Sequence, residues 1–213
     1  MGRKPPFSPP GFGISLRRPG GENMRAFDYV ITLFAFVYAL AIAHLLTTVA
    51  ELVRERGRVR FSWLNAAWMC IGLFSILAWW IGMWDMRALP SWSVPMIAFL
   101  FVMATLIYLQ VRLTCANIPA EGEIDLREFH RRNGREYIAV YALVTALTVV
   151  VNVVFGEMTS VREMIAQNIV VAPMFAIAVV AAISFRPWVQ ALSAAAQIVL
   201  WLAYFATLQG ALS

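Results

Sequence analysis

An ionisable side chain inside an apolar run is costly to place in lipid, so its position marks a candidate site. His44 sits in AIAHLLTTVAELVRERGRVR, followed by Thr47, Thr48 and Glu51 at three, four and seven residues, on one face of a helix. At 1.5 Å per residue Glu51 would lie about 10 Å along the axis from His44, beyond a direct bond but within reach of a water-linked relay. Such a histidine could handle protons or contact a polar solute. It could equally be neutral and bonded to a neighbouring helix.

Two further stripes gather polar groups. Tyr137, Tyr141, Thr145, Thr148 and Asn152 recur at spacings of four, four, three and four, and Gln190, Ser193, Gln197, Trp201 and Tyr204 follow a similar period near the C-terminus. These seams either line a wet pathway for a small polar molecule or ion, with Asn152 and Gln197 central, or bond to each other and hold helices together. Neither contains a carboxylate, so proton passage along them would need water or a residue elsewhere. The candidate pathway or ligand-contacting residues are therefore His44, Thr48, Glu51, Tyr141, Thr145, Thr148, Asn152, Gln197 and Trp201.

Other chemistries lack their residues. A haem held between helices needs two axial ligands at similar depth, and the second histidine, His130, falls in a loop, where it reads as a surface residue. The sequence has no HExxH, P-loop or GxSxG pattern and no metal-spaced cluster, so no cofactor and no enzymatic activity are expected. Cys70 and Cys115 are too few for a disulfide framework and read as packing residues. The Trp84, Asp85 and Arg87 group reads as a local ion pair anchoring its loop, or as a grip for a charged headgroup or solute.

The elements that must position these residues are helices in a bilayer. Of 213 residues 61% are hydrophobic and 14% charged, with a mean hydropathy of +0.72, far from the balance of a soluble domain. Six apolar runs, 28–50, 62–84, 93–115, 137–155, 164–185 and 188–208, each reach the roughly 20 residues needed to cross a hydrocarbon core of about 30 Å. An open sheet would leave its edges unsatisfied in lipid. The expected fold is all-α, an integral membrane bundle of six transmembrane helices.

The charge of +5 comes from seventeen basic residues, sixteen of them arginine, clustered between the runs in the manner of membrane topology rather than nucleic-acid binding. The first, third and fifth loops hold ten arginines, from Arg54, Arg56, Arg58 and Arg60 to Arg186, and the opposite side holds seven basic residues. Four of those seven, Arg3, Lys4, Arg17 and Arg18, belong to the Pro- and Gly-rich stretch 1–23, expected to be a disordered or dispensable tail ahead of a start at Met24. The positive-inside rule then puts the Arg-rich loops in the cytoplasm, against anionic headgroups, and both termini in the periplasm of a bacterial inner membrane. Trp79, Trp80, Trp84 and Trp92 on one side and Trp63, Trp68 and Trp188 on the other read as interfacial belts. Trp201 lies too deep for a belt and should pack between helices or touch a ligand.

In the third loop, Asp125 should cap a short helix ended by Asn133 and Gly134, with Ile124, Leu126 and Phe129 dipping into the interface or the whole turn solvated. Small residues should mark packed faces, Ala35, Ala39 and Ala43 in the first span and Gly72, Ser75 and Gly82 in the second. Pro173 should kink the fifth span.

The opening RAFDYVITLFAFVYALAIAHLLTTV, followed after the Arg-rich loop by WMCIGLFSILAWWIGMW, resembles an uncharacterised bacterial multi-spanning membrane protein family. That resemblance covers the first two spans and implies no particular activity. Arg25, Phe27 and Asp28, together with length and span count, are similar to the first-helix Arg and Phe-Ser-Asp motif of bacterial relatives of the lysosomal potassium channel, with the serine absent and the spacing shortened. Channel function is what that second resemblance would imply. The expected function is thus transport or permeation of a small polar solute or ion, against a non-catalytic accessory subunit of a larger membrane complex; a homo-oligomer fits either. A membrane enzyme acting on lipids or quinones ranks below both.

Overall fold

The computed structural model describes the backbone of residues 19–88, 91–155 and 160–212. Seven helices follow in order: α1 Pro19–Arg54, α2 Trp63–Gly82, α3 Val94–Thr114, α4 Leu126–Phe155, α5 Val161–Asn168, α6 Val171–Ile183 and α7 Pro187–Leu212. Five of them are long and apolar enough to cross a membrane, with mean hydropathies of 1.5 to 2.2, and α5 with α6 is a pair bent by 53° that makes either a sixth, broken span or a re-entrant loop. The protein is an all-α membrane bundle. Most of the expected tail lies outside the described residues, and α1 begins at Pro19, ahead of Met24.

Local chemistry sets the ends. Ser62, Ser93 and Ser160 each accept an N–H from the residue three positions on, satisfying one of the orphan donors of the first turn of α2, α3 and α5. The break between α5 and α6 falls one turn before Pro173, because proline can neither donate to the Ile169 carbonyl nor clear it sterically. The expected kink is therefore a full interruption.

The third loop differs most from the sequence expectation. Asp125 does cap a helix, accepting the backbone N–H groups of Arg127 and Glu128 at 2.8 and 3.0 Å, and these bonds hold its carboxyl below the usual range. That helix does not stop at Asn133 and Gly134 but runs on as the fourth span. At 1.5 Å per residue its thirty residues cover about 45 Å, so the charged first third projects beyond a hydrocarbon core of about 30 Å. Gly134 is there for closeness: a Cβ would lie 2.6 Å from the Phe185 ring. His130, one turn earlier, is correspondingly buried rather than on the surface.

Two strands of two residues each, β1 Val59–Arg60 and β2 Ile124–Asp125, pair in parallel and join the loops after α1 and α3. Arginines reinforce the joint. Arg60 pairs with Glu123 and Asp125 at 3.2 Å, Arg58 reaches Glu55 and the carbonyls of Gly122 and Pro119, and Arg127 donates to the Phe61 carbonyl. Part of the basic face thus staples loops together.

Two apolar cores share α2. One joins α1, α2 and α3 through Phe34, Tyr38, Met103 and Ile107, and the other joins α2, α4, α6 and α7 through Trp68, Tyr141, Met174 and Trp201. On α1 the packed stripe is Val30, Phe34, Tyr38, Ala41, Leu45 and Thr48, whereas Ala39 and Ala43 are exposed. A helix apolar all round gives no clue to its packed side, and the large residues won. On α2 the small residues do face inward: Ser75 is buried, and a Cβ on Gly72 would stand 3.0 Å from Val111. Trp68 is fully buried rather than interfacial, and Cys70 is exposed rather than packed.

Gly134→Ala should lower the thermal midpoint in detergent through an overpacking cost of roughly 1–3 kcal/mol, and Phe185→Leu in the same chain should relieve it, so that the two changes are non-additive. A second measurement concerns Gln110, fully buried between α2 and α3 with neither amide atom bonded. Removing an unmatched buried amide spares its desolvation penalty, so Gln110→Met should raise the same midpoint, by about 1 kcal/mol in stability.

Candidate functional site

Tyr141, Thr145, Thr148 and Asn152 of one polar seam and Trp201 and Tyr204 of the other line a cavity of about 240 Å³ where α2, α4, α6 and α7 meet, at the end of the bundle away from the arginine loops; Tyr137 and Gln190 lie at the opposite end. The periodicity read on α4 holds: Tyr141 and Thr145 are buried and Thr148 and Asn152 half-buried on one inward stripe. Trp79, Gly82 and Met86 from the α2 side, Val171 and Met174 from α6, and Trp201 and Tyr204 from α7 complete the wall. Gly82, Met86, Thr148, Asn152 and Val171 on this wall are half-buried.

The floor is a chain of polar groups. The Tyr141 hydroxyl donates to Gln197 Oε1 at 2.9 Å, and Gln197 Nε2 donates to the Met174 carbonyl at 2.7 Å, tying α4 to α7 and α7 to α6. Trp68 packs edge-on against Tyr141, ring centroids 5.5 Å apart, and backs this chain from α2. Farther along the α4 stripe Asn152 Nδ2 donates to Asn168 Oδ1 at 3.1 Å, and Asn168 Nδ2 donates to the Met164 carbonyl at 2.9 Å. Asn168 ends α5, so this pair anchors the broken span beside its break.

The hydroxyls on the wall have spent their protons. Ser75 donates to the Ile71 carbonyl, Thr145 to Ala142, and Thr148 to Val144, at 2.8 to 2.9 Å, which leaves their oxygens only as acceptors. Trp201 is the contrasting group: its ring stacks on Phe205 and meets Phe74, and its buried indole adjoins the Tyr141 hydroxyl. The cavity wall is thus mainly apolar, with a few fixed polar groups. Apolar walls marked with a few oriented polar groups are the usual composition of small-molecule pockets.

His44, Thr48 and Glu51 are not part of it. They share a face of α1, which packs mainly on α3: Thr48 is buried and bonds the His44 carbonyl at 3.0 Å, His44 is half-buried with Nε2 unpaired, and Glu51 is exposed. Their neighbours are Arg112 and Cys115 at the end of α3. Arg87 stands 4.4 Å over the Trp84 ring; the Asp85 side chain lies outside the described residues.

A second polar network at the basic end escaped the sequence reading. His130 Nδ1 bonds the Tyr137 hydroxyl, the imidazole stacks on Phe185, and Gln190 Nε2 takes the Ala181 and Ser184 carbonyls at 2.6 and 3.1 Å, closing the end of α6. Asn65, fully buried, donates to the Thr114 carbonyl at 3.0 Å and closes the end of α3. The available signal was the seven-residue step from His130 to Tyr137, two turns on one helical face. Among the described residues no three His, Cys, Asp or Glu side chains converge as metal ligands. Comparison with protein-family models, curated proteins and solved structures returns no match for this chain.

Tyr141→Phe should destabilise the folded protein by about 1–3 kcal/mol, since it leaves Gln197 Oε1 buried and unpaired. Adding Gln197→Met should cost less than the sum of the two single changes, because Tyr141→Phe has already broken the shared bond. Thermal unfolding of the four proteins in detergent measures that coupling; strict additivity would show that the bond does not join the helices energetically.

Proposed function

We propose that the protein moves a small amphiphilic solute across a bacterial inner membrane, the solute entering the cavity between α2, α4, α6 and α7. One observation carries this reading: the cavity lies beside the Tyr141–Gln197–Met174 chain, whose last member belongs to α6, the longer arm of the bent α5–α6 pair. Interrupted helices beside a binding site are a recurrent architecture of membrane carriers, because an interruption concentrates motion at a few residues. The mainly apolar wall fits a compact solute with one polar end rather than a hydrated ion. By the positive-inside rule, the arginine loops belong to the cytoplasm, so the cavity end of the bundle faces the periplasm, as do both termini.

A specific observation favours a second reading. Both seams satisfy themselves by side-chain and backbone bonds, and α1 and α7 carry large exposed apolar residues, among them Phe36, Leu46, Leu192 and Val199. Self-closed seams and broad apolar faces also suit a non-catalytic subunit packed in a larger membrane complex, or a homo-oligomer. Lipid covers such faces equally well, so the cavity weighs more.

Purified protein should gain thermal stability from some members of a panel of compact aromatic and aliphatic amphiphiles. A ligand at one hundred times its Kd adds about 2.7 kcal/mol. Thr148→Trp, which fills the cavity, should abolish that shift and solute uptake into reconstituted vesicles with little change in the unliganded midpoint. Uptake that survives in the filled variant would place the pathway elsewhere.

A further inference from the structure

The arginines of the first loop are unequal. Arg58 is engaged by Glu55 and two loop carbonyls, and Arg60 by Glu123 and Asp125. Arg56, exposed in the same turn, has no acidic partner among the described residues. It stands at the rim of a groove of about 350 Å³ between the end of α1 and the start of α2, walled by Val49, Val53, Phe61, Ala66 and Met69.

Depth is given by the surroundings. Phe61 and Val53 are 62% and 60% exposed although they adjoin a charged loop, and Trp63, the first residue of α2, is 49% exposed beside them. Exposed aromatics next to arginines mark the headgroup level of a bilayer, and the groove runs from there toward the apolar middle of both helices. A mainly apolar groove with one arginine on its wall has the pattern of a phospholipid site: hydrocarbon against Val49 and Met69, phosphate at Arg56. Guanidinium binds phosphate through two parallel N–H donors, an interaction that survives partial exposure better than a point charge. A free phosphate would have no use for the groove, and an uncharged lipid would have no use for the arginine.

We propose that this groove binds one anionic phospholipid from the leaflet on the basic side, with an acyl chain between α1 and α2 and the phosphate on Arg56. The lipid fills the seam where α1 and α2 touch least closely, and so supports the first span at a point the protein does not pack itself. The site is separate from the solute cavity and stands whether or not that cavity carries a solute.

Native mass spectrometry of the full chain, titrated in detergent with dioleoyl phosphatidylglycerol or dioleoyl phosphatidylcholine, tests the site. One phosphatidylglycerol should be retained, at least tenfold more strongly than phosphatidylcholine, and sn-glycerol 3-phosphate at the same concentration should fail to displace it. Arg56→Gln should lower retention about tenfold, while Arg54→Gln, which removes the same charge two residues away and outside the groove, should change it less than twofold. Ala66→Trp fills the groove with every charge kept and should also abolish retention; if that variant fails to fold, Val53→Gln, at an exposed wall position, takes its place. Equal losses from Arg54→Gln and Arg56→Gln, retention unaffected by filling or polarising the groove, or displacement by glycerol 3-phosphate would each overturn the proposal in favour of diffuse attraction or a plain phosphate site.

Discussion

A hydrocarbon surround offers no water to a stranded polar group, so each one carried into the bundle has to find its partner inside the protein or go without. The bond from Tyr141 to Gln197, continued from Gln197 to the Met174 carbonyl, meets that demand with three helices at once. It fixes the depth at which α4, α6 and α7 meet, and thereby the floor of the cavity. The same demand explains the wall, where Ser75, Thr145 and Thr148 donate back to their own helices and leave an apolar surface lightly marked with acceptors. Closure and cavity are one arrangement: the Tyr141–Gln197–Met174 chain pairs the helices at one level, and the cavity lies next to it on the same helices.

How much of this was legible in the sequence depended on whether a residue's neighbours lay on its own helix. The span limits were readable because hydrophobic length is a local property, and the α4 stripe because Tyr141, Thr145, Thr148 and Asn152 lie one above another. Pairing between helices was not. Gln197 could be placed on α7, yet nothing in its spacing says that it meets Tyr141 rather than lipid. His44 illustrates the same limit from the other side: its helical face was correctly drawn, with Thr48 and Glu51 on it, but α1 packs on α3, so the face never meets the α4 and α7 seams. Gly134 misled for a related reason. Glycine ends helices and also lets them approach, and only the position of Phe185 says which.

The basic face shows why a charge count is a coarser guide than a charge inventory. Arg58, Arg60 and Arg127 hold the loops after α1 and α3 together, and Arg131 and Arg132 converge on Glu128. Most of these pairs are exposed and each is worth little, but several of them frame a parallel pairing only two residues long, which backbone bonds alone would hold poorly. By the positive-inside rule orientation follows the total of positive charge, whereas the arginines of this face divide into those that bind loops together and those, such as Arg54 and Arg56, with no acidic partner among the described residues.

Although α2 and α4 contribute to both apolar cores, one core centres on α1 and α3 and the other on α6 and α7, so the bundle has two halves. The halves differ in how they can deform. The first is closed by interlocking bulk, Phe34 and Tyr38 against Met103 and Ile107, with Gly72 drawn against Val111, and close-packed side chains resist gradual displacement. The second holds the cavity, the broken span and the polar chain, so movement there need only exchange a few directed bonds. Opening the floor requires Gln197 to release either Tyr141 or the Met174 carbonyl, and in a dry surround neither release is stable without a replacement partner. The Trp201 indole adjoins the Tyr141 hydroxyl beside that floor, so it restrains the same group that Gln197 would have to release.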